Sequence, residues 1–401
     1  MIKVAVLGYG TVGSGVVQVI QDNNELIKER LGSDIEVKYI LDLRDFPGDK
    51  NEALVVHDAS VIMNDPEIDI VCETMGGAGA AYEFTKAALT AGKSVCTSNK
   101  ELVEKYGASL LKLARENGCN YQFEASVGGG IPIIRPMNTS LAPECIESIM
   151  GILNGTTNYI LTKMADEGAD YDSVLKQAQD LGYAERDPKA DVEGHDAGRK
   201  IAILASLMTG KNVAYDDIYI EGITGIEAVD LAFAGKLKRS IKLIARADRT
   251  PDGKGITALV APHMLSGSHP LSGVNYVFNA IFLTGNMVGD VMFYGKGAGK
   301  LATASAVVSD VIDLARAKMC NTSLPCIWSE EGIALKEHDL KEEDFFVRIR
   351  ETDSKAFEGK IAGLNKVDVI DGWAGYTVGS VTERKIREAA DGMDVRFIRL
   401  G

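Results

Sequence analysis

The chain has 401 residues, 46% hydrophobic and 25% charged, an ordinary balance for folded globular domains and too long for one core, so two or three domains are expected. A formal net charge of −14 argues against duplex nucleic acid or an anionic membrane as partner, because both select basic surfaces. No apolar run approaches the roughly 20 residues of a membrane span, IKVAVLG starts a strand too early to leave room for a signal segment, and the six cysteines lack C-x-x-C or zinc spacing, which suits free thiols in a reducing cytoplasm.

Ile2–Gln21, IKVAVLGYGTVGSGVVQVIQ, reads as a β-branched strand, a glycine turn and a helix. Gly8, Gly10 and Gly13 fit G-x-G-x-x-G, with Thr11 and Val12 between them. The first glycine allows the tight turn, the second lets backbone approach a pyrophosphate, and the third lets helix pack on strand. Strands are expected at Ile35–Leu41, Ile68–Cys72, Ser94–Thr97 and Tyr121–Glu124, alternating with helices at Tyr82–Ala91 and Leu102–Asn117. That alternation predicts a doubly wound parallel sheet whose ligands sit at the carboxyl ends of its strands. Thr74 to Gly77 and Ser98 to Lys100 then lie on the cofactor rim. Asp42 ends the second strand, where a carboxylate accepts from a ribose and repels a 2′-phosphate; Arg44 would do the opposite, and each also reads as a solvated loop charge.

EASVGGGIPIIRP, Glu124 to Pro136, places three glycines after a strand. Such backbone can curl to aim carbonyls at a monovalent cation beside Glu124, or serve as a hinge. GILNGTTNYIL, Gly151 to Leu161, puts four polar side chains in five positions of a strand–helix turn, more than a helix cap needs. Glu185, Asp187, Asp191, Asp196 and Lys200 follow within sixteen positions, a density that suits an amino-acid ammonium or simply an acidic loop. Asp196 and Lys200 are four apart on a helix with apolar Ile201, Leu204, Ala205 and Met208. They read either as a surface ion pair or as a fixed lysine able to protonate a carbonyl oxygen. Residues 213–293 alternate short strand and helix patterns. Phe293 to Arg316 brings a second glycine loop, Gly295, Gly297, Ala298 and Gly299, then a helix with small residues on one face, expected to pack on the first domain.

In order over roughly residues 1 to 320, GYGTVG, ETMGG, SNKEL, EASVGGGIPII, GILNGTTNYIL, LGYAERDP, DVEGHDAGRKIAIL and YGKGAGKLATASAVV resemble homoserine dehydrogenase. The resemblance implies reversible NAD(P)-dependent reduction of L-aspartate 4-semialdehyde to L-homoserine, on the route to threonine and methionine, in a cytoplasmic homodimer or tetramer. It makes Lys200, Lys100 and Asp196 catalytic, and gives Glu185, Asp191, Gly155, Thr156 and Thr157 to the substrate. Cofactor contacts fall to Gly8, Gly10, Thr11, Val12, Gly13, Asp42, Thr74, Ser98, Gly295, Gly297, Ala298, Gly299 and Thr303. Glu124, with the carbonyls of Val127, Gly129 and Ile131, would hold sodium or potassium. The implied fold is a Rossmann-type domain at 1–135, completed by a helix around 300–320. An α+β substrate and dimerisation domain at 136–299 follows, then a βαββαβ ACT-like domain at 340–401.

Two departures stand out. ILDLRD leaves NAD against NADP open. The tail reads as strands at Phe345–Arg350, Val367–Ile370, Tyr376–Val381 and Val395–Leu400, with helices at Lys355–Leu364 and Thr382–Ala390, yet lacks the Asp-x-Pro-Gly turn of ACT domains. Threonine feedback and a structural or dimer-forming tail both remain open. The competing functions are an inactive amino-acid-sensing homologue and another NAD(P)-dependent aldehyde reductase.

Overall fold

The computed structural model describes residues 1–401, whose contacts form two units. Unit 1 comprises Met1–Cys145, Ala202–Tyr215 and Gly295–Ile333. Its chain runs β1 (Ile2–Leu7), α1 (Thr11–Asp22), α2 (Asn24–Leu31), β2 (Ile35–Leu41), β3 (Val55–Val56), α3 (Ala59–Met63) and β4 (Ile70–Glu73). It continues with α4 (Gly79–Thr90), β5 (Ser94–Thr97), α5 (Lys100–Glu116), β6 (Tyr121–Gln122) and α6 (Ile134–Asn138). All six strands are parallel in the order β3-β2-β1-β4-β5-β6, with the reversal between β1 and β4 that opens a crevice at the strand ends. Helices cover both faces, so β4 (IVCE) and β5 (SVCT) are buried at every position. The expected strand to Glu124 stops at Gln122, and a 3₁₀ turn takes Glu124–Ser126.

The long helix after the second glycine loop, α12 in chain order (Lys300–Cys320), joins this unit. Its small residues meet α1 closely: a Cβ on Gly15 would press on the Lys300 carbonyl and the Ala304 methyl. The small-residue face does pack on the first domain.

Unit 2 comprises Ile146–Ile201, Asp216–Tyr294 and Ala334–Gly401. It begins β7 (Ile146–Ile152), α7 (Gly155–Glu167), α8 (Tyr171–Asp180) and α9 (Lys189–Val192), and α10 (His195–Thr209) follows. Where residues 213–293 read as alternating, the chain forms β8 (Tyr219–Ile220), α11 (Ala228–Lys236), β9 (Arg239–Arg249), β10 (Ile256–Ser266), β11 (Phe278–Gly285) and β12 (Gly289–Lys296). Only one α-helix interrupts the strands. Short apolar runs look alike whether buried as strand or helix, and β10 is buried along nearly its whole length.

The tail is β13 (Glu342–Arg350), α13 (Ser354–Glu358), β14 (Asn365–Ile370), β15 (Trp373–Thr382), α14 (Glu383–Ala389) and β16 (Val395–Leu400). Its first helix ends at Glu358, not Leu364, because Gly359 and Gly363 are poor helix formers. The four strands pair antiparallel in the order β16-β13-β15-β14. β16 also pairs in parallel with β10, so one sheet runs through the whole unit. One face of the tail buries Phe345, Val347, Phe357, Tyr376 and Ile386 under its own helices.

The opposite face is closed by α11. Phe233 lies 5.1 Å from Phe346, and Arg348 donates to Asp230 at 2.6 Å while its guanidinium covers Trp373. Asp230 is fully buried and also accepts from the Glu227 amide. Removing Asp230 leaves the buried Arg348 only the exposed Glu227 carboxylate, at 3.0 Å, and breaking a buried pair costs about 3–5 kcal/mol. We therefore expect Asp230→Ala to lower the unfolding free energy by about that amount in urea titration, and Asp230→Ala with Arg348→Met to regain part of it. A loss below about 1 kcal/mol, typical of a surface pair, would show that this contact does not tie the tail to α11.

Candidate active site

The Asp191–Lys200 stretch forms a turn and then a helix. Gly194 sits at φ +88° between α9 and α10, a conformation that side chains avoid, and a Cβ there would also press on Ile220 and Val260. The turn starts α10 at His195, and Asp196 and Lys200 then share one face. Both are buried, at 4% and 8% exposure, so the surface-pair alternative does not hold. Lys200 Nζ donates to Asp196 Oδ2 at 2.7 Å and to the Leu153 carbonyl at 2.7 Å. A rigid, core-packed helix therefore carries an ammonium whose position is set by a carboxylate and a backbone oxygen.

The Thr-Thr-Asn turn comes to the same place. Asn154 caps α7 by accepting from the Thr157 amide at 2.9 Å, and its own amide nitrogen donates to Asp191 Oδ1 at 2.7 Å and Asp196 Oδ2 at 2.8 Å. The Thr156 hydroxyl donates to the Tyr183 carbonyl at 2.6 Å, anchoring the loop in which Glu185 lies exposed. Asp191, Asp196, Lys200 and the α7 N-terminus thus converge within unit 2. Asn154 and the Leu153 carbonyl are the members that sequence reasoning passed over; Asn before Gly-Thr-Thr is a cap signal, but a backbone carbonyl has none.

Unit 1 supplies a dinucleotide cradle. Gly8 takes φ +90°, and a Cβ on Gly13 would overlap the Gly8 carbonyl oxygen, so the third glycine is required by the turn itself. Gly10 is the N-cap of α1, and no side chain caps the first-turn amides of Thr11, Val12 and Gly13. An uncapped helix start behind a glycine turn fits a pyrophosphate. Thr74 closes the turn from below, its hydroxyl 2.9 Å from both the Leu7 and Gly8 carbonyls.

Asp42 stands at the end of β2 as expected, but its oxygens are already engaged. Oδ2 accepts from the Tyr9 amide at 2.8 Å, and Arg44 contributes its backbone amide and guanidinium at 3.0 Å. Arg44 holds the carboxyl well below its usual range, with the Tyr9 amide adding to the effect. The Arg44 side chain is 63% exposed.

The other rim joins β4 to β5. Glu73 Oε1 accepts from the Met75 amide at 2.7 Å and Oε2 from the Thr97 hydroxyl at 2.5 Å, and that hydroxyl accepts from the Asn99 amide. The Asn99 side chain caps α5 and reaches the Gly77 carbonyl at 2.7 Å. Ser98 bonds back to the Glu73 carbonyl, and Lys100, half-buried, is the first residue of α5.

Glu124 is buried beside the glycine run. Its carboxylate accepts three amides, Ile133 and Ile134 on Oε1 and Arg135 on Oε2, at 2.5–3.0 Å, which caps α6. The carbonyls of Val127, Gly129 and Ile131 accept no backbone hydrogen bond, although all three residues are buried. The second glycine loop packs here, Gly297 against Gly129 and Gly295 against Ile131, while Gly299 caps α12 and Thr303 donates back to it.

Two family models match: the homoserine dehydrogenase model over residues 132–312, and the homoserine dehydrogenase NAD-binding domain over 8–124. The homoserine dehydrogenase of Bacillus subtilis is 45% identical over 315 residues, 78% of this chain and 72% of that protein. The chain belongs to the homoserine dehydrogenase family. It is accordingly an NAD(P)-dependent oxidoreductase. A homoserine dehydrogenase structure from Thiobacillus denitrificans matches with a TM-score of 0.90 at 33% identity, covering 100% of this chain and 98% of that one. A hyperthermophilic archaeal homoserine dehydrogenase solved with NADPH matches at 0.67 and 28% identity, over 81% and 99%. The resemblance read from the motifs is thereby shown, and the family's NAD-binding domain coincides with the cradle built from Gly8, Gly10 and Gly13.

Within that domain Glu73 gives a measurable signature. Burial pushes its pKa up from 4.5 to about 7, against the hydrogen bonds from Thr97, Met75 and Asn99 that favour the anion. The folded carboxyl keeps a proton that the unfolded chain releases, so between pH 4.5 and about 7 its contribution to stability falls as pH rises. The expected cost above pH 7 is on the order of 3 kcal/mol. Glu73→Gln should flatten that part of the stability–pH curve relative to the parent in chemical denaturation. Parallel curves for the two proteins would show that Glu73 titrates normally.

Proposed function

We propose that the chain interconverts L-homoserine and L-aspartate 4-semialdehyde, with Lys200 as the acid at the aldehyde oxygen and as the base toward the alcohol. The carrying observation is the buried ammonium of Lys200 on α10, held at 2.7 Å by both Asp196 and the Leu153 carbonyl. A proton donor fixed in a site that excludes water stabilises charge developing on oxygen. When bound, the nicotinamide accepts or supplies the hydride. Asp191, with Glu185 from the adjoining loop, takes the substrate ammonium; Gly155, Thr156 and Thr157 line its seat; Lys100 serves the nicotinamide edge. No thiol is required, and Cys72, Cys96 and Cys119 lie buried among the β4, β5 and β6 strands of the other unit, which suits hydride transfer without an acyl-enzyme. Homoserine-dependent reduction of NAD or NADP tests the reading. Lys200→Ala should lower kcat by about 10²–10⁴-fold; an unchanged rate removes Lys200 from the chemistry, and no homoserine-dependent signal removes the substrate assignment.

Arg44 supports use of both cofactors, since it neutralises Asp42 and leaves an exposed guanidinium for a 2′-phosphate. Arg44→Ala should raise KM for NADP by about tenfold or more and leave NAD nearly unchanged, as expected for one charge-assisted contact. Equal effects on the two would exclude that role. The carbonyls of Val127, Gly129 and Ile131 are the proposed seat of sodium or potassium, and we place the enzyme in the cytoplasm as a homodimer. The tail has ACT-like strand order, yet α11 and β10 both claim it, which favours a built-in structural role. Added L-threonine should therefore change the rate by less than the roughly fivefold minimum of ordinary allosteric coupling; stronger inhibition would assign it a regulatory one.

A further inference from the structure

We infer that Asn154 is a positioning residue of the reaction, bridging the carboxylates of half-buried Asp191 and buried Asp196 so that the group holding Lys200 keeps its place. Its amide nitrogen spends one N–H on Asp191 and one on Asp196, while Lys200 donates to the same Asp196 Oδ2. Two carboxylates this close to one amide repel each other, and a neutral double donor holds them together without cancelling their charge.

The same side chain ties this spacing to the fold. Asn154 Oδ1 accepts the Thr157 amide and so fixes the first turn of α7, while the preceding residue gives its carbonyl to Lys200. One two-residue segment thus sets the position of Lys200 and of both carboxylates. The titratable groups in direct contact with it are Asp191 at the end of α9 and Asp196 and Lys200 on α10.

The inference rests on the proposed role of Lys200, so the test runs Lys200→Ala beside Asn154→Asp and Asn154→Ser. Asp and Ser both cap helices well, which preserves α7. Asn154→Asp keeps the shape, loses both donors and adds a third carboxylate; Asn154→Ser keeps at most one donor. We expect kcat/KM for homoserine to fall about tenfold or more in both, the loss of one to two net hydrogen bonds to charged groups. KM for NAD(P) and the melting temperature should stay near the parent's. In Asn154→Asp the kcat/KM–pH limb that reports the lysine should move to higher pH, because a further anion favours the ammonium. Asn154→Ser should leave that limb closer to the parent's. The inference is overturned if both variants match the parent in kcat/KM and pH profile, or if stability and nucleotide affinity fall in parallel with turnover, as a mere cap would give. Parent-like activity in Lys200→Ala would instead overturn the assignment of the lysine.

Discussion

Burying an ion pair costs more than its Coulomb attraction returns unless further hydrogen bonds complete both partners. The Lys200–Asp196 pair sets that condition, and much of unit 2 is arranged to meet it. Leu153, just past β7, gives its carbonyl to the ammonium, and Asn154 caps α7 while bonding Asp196. Gly222 and Gly194 let the Val192–Gly194 turn pack tightly enough to start α10 there, with the Ile223 amide bonded to the Val192 carbonyl. A catalytic lysine needs this enclosure, since an exposed one would spend its protons on water and hold no fixed direction.

The same solution recurs at other buried carboxylates. Glu124 accepts three backbone amides, Glu73 an amide and a hydroxyl, and Asp230 an amide and a guanidinium. Asp230 and Glu73 join segments 118 and 24 positions apart and Glu124 closes its own loop, so each exchanges the cost of desolvation for fixed loop geometry. In unit 1 this locks the two strand ends that form the nucleotide rim. Polar groups inside this protein are devices for positioning loops, and the Lys200–Asp196 pair is one of them.

Much of this was legible in the residues. The limits of β2 and β5 match the expected Ile35–Leu41 and Ser94–Thr97, because β-branched runs between glycine and polar turns leave little freedom. Asp196 and Lys200 share a face by spacing alone. What escaped notice was non-local: Asn154 meets Asp191 and Asp196 across 37 and 42 residues, through a turn whose folding back no periodicity reports. The bonding of the Glu124 carboxylate was hidden for a related reason. A carboxylate beside glycines looks the same in sequence whether it faces a cation or three amides, and the choice depends on where Ile133 to Arg135 turn.

The tail follows the same logic of non-local ties. β16 and β10 share only two paired positions, His263 with Arg399 and Met264 with Leu400, too short a ladder to weld two sheets by backbone bonds. The seam is instead carried by charge: Arg246 of β9 bonds Glu343 of β13 at 2.8 Å. Arg396 of β16 reaches Glu221 beside β8 at 2.9 Å. These side chains are at most about a quarter exposed, so salt screens them less than surface pairs. A module free to swing on ligand binding is better served by an exposed, weakly bonded seam. This one makes the tail a wall of the unit that carries Lys200, and any influence of the tail on turnover would have to travel through β10 and α11 as strain.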